Sequence, residues 1–273
     1  GVERVRQTTF SALLQAWLGT GLPPIGAAGS PASARVKGLL STAQRLDAWL
    51  DAYEERILPE EGLSFGPVTL FSGEALRQFI LVDEKPFPLE RRFKELKKQL
   101  FGRVKHAVAQ IQQWYKKEAQ RRAVRMQDDP QRRERLFAQL DERMQAAEDK
   151  SKEYIKETMR AFGDFAPAKL YRQFWEDMRA GEDPELRAAA EETLARKGRA
   201  IAAEDAALIA LIAQRVSELK RQEFRHIVVD EAQDMSQAEF LVLRRMNPGA
   251  TFTIVGDMMQ GVNAARGLSS WDA

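Results

Sequence analysis

The chain has 273 residues, 44% of them apolar and 8% aromatic, enough for one large or two ordinary domains with a buried core. It has no cysteine and two histidines, which excludes disulfide scaffolds and thiolate chemistry and argues against a histidine metal cage, and it holds no apolar run of about 18 residues that would span a membrane. The net charge of +2 is a cancellation: residues 91–140 carry fifteen Lys/Arg and five Asp/Glu, a balance of +10, against −8 elsewhere. Such asymmetry suits a polyanion or an acidic partner, and equally a well-solvated helix surface. The chain starts at Gly1 without a signal peptide, so the expectation is a cytoplasmic piece of a longer protein.

The elements follow in order. Thr8 or Thr9 can cap a helix carrying Phe10, Leu13, Leu14, Trp17 and Leu18. Residues 19–33, rich in Gly and Pro, read as a linker or exposed loop. From 34 to 221 the pattern is mostly helical. Val36, Leu39, Leu40, Ala43, Leu46, Trp49, Leu50 and Tyr53 keep helical spacing, and Phe65, Val68, Leu70 and Phe71 suggest one short strand. Two long amphipathic helices come next. Phe93, Leu96, Leu100, Val104, Ala107, Ile111 and Trp114 advance by three or four in the first; Phe137, Leu140, Met144, Ala147, Tyr154 and Phe162 lie close to the same period in the second. Asp128, Asp129 and Pro130 mark the turn between them. An antiparallel coiled-coil arm over about 88–162 is expected, with Trp114 and Tyr115 sealing the pair in preference to stacking on bases beside Lys116 and Lys117. Gly163, Pro167, Gly181 and Pro184 break the chain into shorter helices, and 201–219 is apolar enough to be a buried helix, assignable to this zone or to the next.

The last zone, 222–273, changes character. His226–Val229 is a strand-type run, a helix capped by Ser236 follows, Asn247-Pro248-Gly249 ends it, and Thr251–Val255 is a second strand. Strand–helix–strand with nearly continuous β runs predicts a buried parallel sheet of α/β type. In such sheets ligands lie beyond the carboxyl ends of the strands. Asp230 and Glu231 sit at the first such end, within Val-Asp-Glu-Ala-Gln-Asp at 229–234. An Asp there can hold hydrated Mg²⁺ and a neighbouring Glu can deprotonate water, although an acidic pair alone is more often an exposed turn opening a helix. Gly256-Asp257-Met258-Met259-Gln260-Gly261 closes the second strand, offering a carboxylate and an amide able to report on a terminal phosphate. Two polar clusters at adjacent strand ends would share one crevice.

These residues resemble a family. Residues 229–234 look like motif II, and Val-Gly-Asp-Met-Met-Gln-Gly at 255–261 like motif III, of superfamily 1 helicases of the UvrD/Rep type. Arg225–Val228 and Glu204-Asp205 fit the same pattern, and Thr8-Thr9-Phe10 is similar to motif Ib. Val5–Phe10, Gln260–Asn263, Arg266–Leu268 and Trp271 look like the HelD, or helicase-IV-like, branch, which includes ATPases that bind RNA polymerase. The resemblance implies a partial RecA-like P-loop NTPase core with parallel strands, interrupted by a large helical insertion. It implies ATP and Mg²⁺ as cofactors and a nucleic acid, DNA first, as partner. RNA polymerase is a further partner, through the helical arm. Asp230 would hold Mg²⁺ through water and Glu231 would be the catalytic base. Gln260 would sense the γ-phosphate, Gln233 and Asp257 would link the motifs, and Thr9, Phe10 and Arg266 would lie along the nucleic-acid path. Residues 1–18 and 222–273 would then belong to the motor core and 34–221 to the insertion.

One part of that pattern is missing. No G-x-x-x-x-G-K-[ST] string occurs, and Lys37-Gly38 and Lys197-Gly198 have the wrong order. Without that loop the β- and γ-phosphates lack a nest of backbone N–H groups and a lysine. The expectation is a fragment of the first motor domain, inactive as an ATPase by itself.

Overall fold

Thr9 sits in extended backbone and its hydroxyl accepts a hydrogen bond from the Ala12 N–H at 3.2 Å, opening helix α1 (Phe10–Leu18) as its cap. This is the first element of a computed structural model described for residues 5–125, 129–198, 200–219 and 224–257. The chain divides into two compact units: Gly1–Tyr53 with Pro88–Glu90 and Phe165–Ala273, and Glu54–Phe87 with Arg91–Asp164.

In the first unit, residues 19–33 are more than a tether. Ile25 pairs with Ile201 in a parallel bridge, Gly26 N–H donates to the Ile201 carbonyl at 2.8 Å, and Gly29 N–H donates to Glu204 at 2.9 Å. Helix α2 (Pro31–Gly38) follows, with Ser30 as cap and Pro31 in its first turn. The expected single helix over 36–53 is broken at Leu39, whose extended backbone separates α2 from α3 (Leu40–Arg56).

The second unit begins on a hairpin, β1 (Leu63–Phe65) and β2 (Val68–Phe71), antiparallel. One strand was expected here. Gly66 at φ 57° reverses the chain, and Pro67, which cannot donate to a ladder, forms the other half of the turn. A short helix α4 (Gly73–Arg77) leads to α5 (Leu89–Val124) and α6 (Pro130–Ala161); Asp129 caps α6, and Asp128 lies outside the described residues. The two long helices run antiparallel. Phe93 meets Phe162 at 4.8 Å between ring centroids, and further along Gln112 reaches the Met144 carbonyl and Glu148.

Their seam differs from the expected stripe on both helices. Phe93, Leu96, Leu100, Val104 and Ala107 are buried as expected. Beyond Ala107 the buried line moves to Val108 and Ala119, with Tyr115 half-buried under Arg143 and Ala147 buried opposite. Trp114 is thereby left out and is 62% exposed, so it does not seal the pair. The cause is helical geometry: a straight helix turns 100° per residue, and a stripe drawn by threes and fours slides around it over many turns. Phe137, on α6, is exposed too. Conversely Arg92, counted among the surface cations, is buried. It donates to Glu54 at 2.7 Å and to the Phe87 and Lys85 carbonyls.

The first unit resumes with α7 (Pro167–Ala180), α8 (Pro184–Ala195) and α9 (Asp205–Val216). Helix α9 is the buried helix expected from its apolar sequence, since nearly every residue is buried, and α1, α2 and α7 pack on it. Strand β3 (His226–Val229), helix α10 (Gln237–Met246) and strand β4 (Thr251–Ile254) complete the described chain, and α10 packs against α9. β3 and β4 pair in parallel with His226 opposite Thr251 and Val229 opposite Ile254. The parallel pairing matches the expectation; its burial does not. Val228 is 63% exposed, Ile254 46% and Val255 50%. Among the described residues this sheet has two strands, which offer too little surface for layers of helices on both faces. No helix among the described residues is long and apolar enough to cross a membrane.

Candidate functional site

The β3–α10–β4 unit sets the position of each polar group at the strand ends. β3 ends at Val229, whose carbonyl accepts from Val255 N–H at 2.8 Å; Ala232 N–H then donates to the Val255 carbonyl at 3.0 Å. These two bonds carry the pairing past the strand ends and bring 230–233 against 255–257. Residues 232–234 form one 3₁₀ turn, and Ser236 and Glu239 form a reciprocal capping box that starts α10.

Asp230 is exposed at the carboxyl end of β3, and its Oδ1 accepts from the Glu231 N–H at 3.0 Å. Glu231 is exposed and stands in the left-handed region at φ 51°, ψ 43°, the one non-glycine residue with positive φ among the described residues. That conformation costs on the order of 1–2 kcal/mol for an L-residue and is held by the surrounding bonds. Gln233 is buried and connects the two ends. Its Nε2 donates to Glu231 Oε2 at 2.5 Å, and its Oε1 accepts from the Asp257 N–H at 3.1 Å. The two bonds fix which way the amide faces. Gly256 makes this approach possible, because a Cβ there would lie 2.3 Å from Gln233 Oε1 and 3.0 Å from the Ala232 nitrogen.

The structure therefore brings Asp230, Glu231, Gln233 and the Asp257 backbone together. Gln260 and Arg266 lie outside the described residues. Thr9 caps α1 and Phe10 opens it, half-buried. Two partners went unrecognised in the sequence. His226 bridges the strands, its Nδ1 2.7 Å from Thr251 Oγ1 and its Nε2 3.1 Å from Thr253 Oγ1. Arg245 of α10 forms a bidentate pair with Asp47 of α3, at 2.9 and 2.5 Å. A histidine directly opposite a threonine in a predicted parallel pair was the available signal for the first; nothing local signals the second, whose partners lie far apart in the chain.

Among the described residues no group of three or more His, Cys, Asp or Glu could hold a metal ion by itself. The donors present suit a hard cation that keeps most of its water: one exposed carboxylate at a strand end is the usual protein share of a Mg²⁺–nucleotide site. The family model for the UvrD/REP helicase N-terminal domain matches residues 50–267. No curated protein matches the chain.

Proposed function

The chain belongs to the UvrD/REP helicase N-terminal domain family, and from that premise we propose that its strand-end cluster is half of an Mg-ATP hydrolysis site in a nucleic-acid-dependent helicase or translocase. The family implies a RecA-like α/β core, of which β3 and β4 are the paired strands described here. The observation that carries the reading is the Glu231–Gln233–Asp257 chain of bonds across the two strand ends.

In this reading Glu231 accepts a proton from the attacking water. Gln233 is a positioning residue: it holds one carboxylate oxygen of Glu231, and the Asp257 N–H holds Gln233 in turn, so a shift at the end of β4 would be felt at the base. Asp230 would hold Mg²⁺ through water. The bound ion would supply charge neutralisation on the β- and γ-phosphates. Gln260 is assigned the γ-phosphate on its place in the motif alone, and Thr9, Phe10 and Arg266 the nucleic-acid path on theirs.

We take the chain as a fragment of the first motor domain. The missing G-x-x-x-x-G-K-[ST] string supports this, as do the exposed Val228, Ile254 and Val255 on a type of sheet that is normally covered on both faces. We further assign Glu54–Phe87 and Arg91–Asp164 to the inserted arm, and α2, α3 as far as Tyr53, and α7–α9 to the core-bearing unit. Placement in the HelD branch rests on 5–10 and on 260–271, and the latter lie outside the described residues.

Steady-state hydrolysis of Mg-ATP, with and without single-stranded DNA, tests the proposal. The 273-residue chain is expected to show none. In the parent protein, Glu231→Gln should lower kcat by about 10²–10⁴ while ATP still binds, the usual span for loss of a general base. Wild-type turnover by the parent Glu231→Gln variant would overturn the assignment, and hydrolysis by the isolated chain would overturn its fragment status.

A further inference from the structure

From the exposure of Trp114 we infer that the outer half of α5 is a stacking platform for single-stranded nucleic acid, with Trp114 taking a base and Lys117 and Arg121 its flanking phosphates. The inference stands apart from the ATP reading, because it concerns a surface of the second unit and needs no nucleotide.

Three observations carry it. The first is position. Trp114 is left outside the α5–α6 seam at 62% exposure, while its neighbour Tyr115 turns into the seam and backs it at 5.3 Å between ring centroids. An indole so placed is held by its helix yet keeps much of its surface in water. The second is its surroundings. Gln110, Lys117 and Arg121 stand at i−4, i+3 and i+7, which a helix places on one face, and all three are exposed. From Trp114 to Arg121 this face runs about 10 Å along the axis. The described neighbours on this face, Gln110, Lys117 and Arg121, are polar or cationic, and an aromatic ring flanked by cations is what a base with its phosphates requires.

The third is charge. Between 91 and 125 twelve residues are basic and two acidic. Both acidic residues pair within the helix, Glu95 with Lys98 at 2.8 Å and Glu118 with Arg122 at 2.8 Å. Glu118 is the acidic residue nearest the Trp114 face along this helix, and its pairing with Arg122 weakens the local repulsion that a phosphate would meet. Of the basic residues, Arg92 is internal and carries none of this field. Duplex DNA would satisfy the cations but offers no free base face to Trp114, so single strands are the preferred ligand.

Fluorescence anisotropy of fluorescein-labelled (dT)20 with the full 273-residue chain, in the absence of nucleotide, tests this. Trp114→Ala should weaken binding about tenfold, and Trp114→Phe, which keeps a ring, by no more than about twofold. Lys117→Ala with Arg121→Ala should weaken binding and reduce the slope of log K against log[salt] by about 1.4, two contacts at about 0.7 each on a single strand. Circular dichroism should show unchanged helicity in each variant, as expected for exposed side chains. The same sequence as duplex should bind at least tenfold more weakly. (rU)20 should bind within about threefold of (dT)20, since neither a ring face nor a phosphate reads the 2′-hydroxyl. No binding by the wild type, unchanged binding by folded Trp114→Ala, a duplex bound as tightly as the single strand, or a larger gap between (dT)20 and (rU)20 would each overturn the proposal. Hydrolysis tests one reading and nucleotide-free binding the other, so each can fail alone.

Discussion

Glu231 is held in a conformation that L-residues avoid, and the bonds that hold it there also aim its carboxylate. A residue stored in the left-handed region at a candidate catalytic position has a measurable signature. At ordinary exposed positions glycine is less stable than alanine, because it loses more backbone entropy on folding. At position 231 the order should reverse. Both Glu231→Gly and Glu231→Ala lose the bond to Gln233, so their difference isolates the backbone term. Glu231→Gly should be the more stable by about 1 kcal/mol in urea unfolding; an equal or higher stability of Glu231→Ala would show that the strain is absent. The sequence reading found the Asp-Glu pair and the two residues that meet it, Gln233 and Asp257. It did not find the left-handed φ, since no glycine or asparagine announces it, nor that Gly256 is required by the distance to Gln233 Oε1.

Between elements, buried charge matters more than surface charge. Lys37 of α2 is fully buried and reaches Asp205 at the start of α9 at 2.6 Å, where the Tyr171 hydroxyl of α7 also donates at 2.6 Å and the Ala202 N–H at 2.9 Å. Three helices thus converge on one carboxylate. The Lys37 ammonium also lies 5.7 Å from the Trp175 ring centroid. On the same helix, Arg35 pairs with Glu185 at 2.6 Å with both side chains more than half exposed. The two distances are equal but the environments are not. Lys37→Met leaves an uncompensated buried carboxylate and should cost about 3–5 kcal/mol, whereas Arg35→Ala should cost under about 1 kcal/mol. Similar losses in urea unfolding for the two variants would contradict this ranking. The sequence offered Lys37 only as part of a Lys-Gly dipeptide unfit for phosphate. Its role depends on a partner 168 positions away, which no local pattern reveals.

At the scale of the whole molecule, the same cluster shapes stability at high pH. Burial, then the nearby Asp205 carboxylate, pushes the Tyr171 phenol well above its usual value of 10.0. A group whose folded pKa is raised contributes stability that is complete below its unfolded pKa and is lost as pH climbs through the window between the two values. Stability should therefore decline above about pH 10, and Tyr171→Phe, starting about 1–2 kcal/mol lower for its lost hydrogen bond, should decline less steeply. Parallel declines would assign the alkaline loss to other groups, Tyr154 among them, whose phenol burial also raises. Much of this molecule was written in local pattern: the cap at Thr9, the buried helix α9, the long antiparallel helices, the strand–helix–strand end and the acidic pair placed on it. These rest on interactions within a few residues of the chain, where periodicity and capping are decisive. Tertiary structure alone decided the rest. It set where the α5–α6 seam runs and so left Trp114 in water; it buried Arg92 and Lys37; and it left the parallel pair exposed. Each of these depends on which surfaces meet across long stretches of chain, and burial, unlike periodicity, belongs to the pair of surfaces and not to either sequence alone.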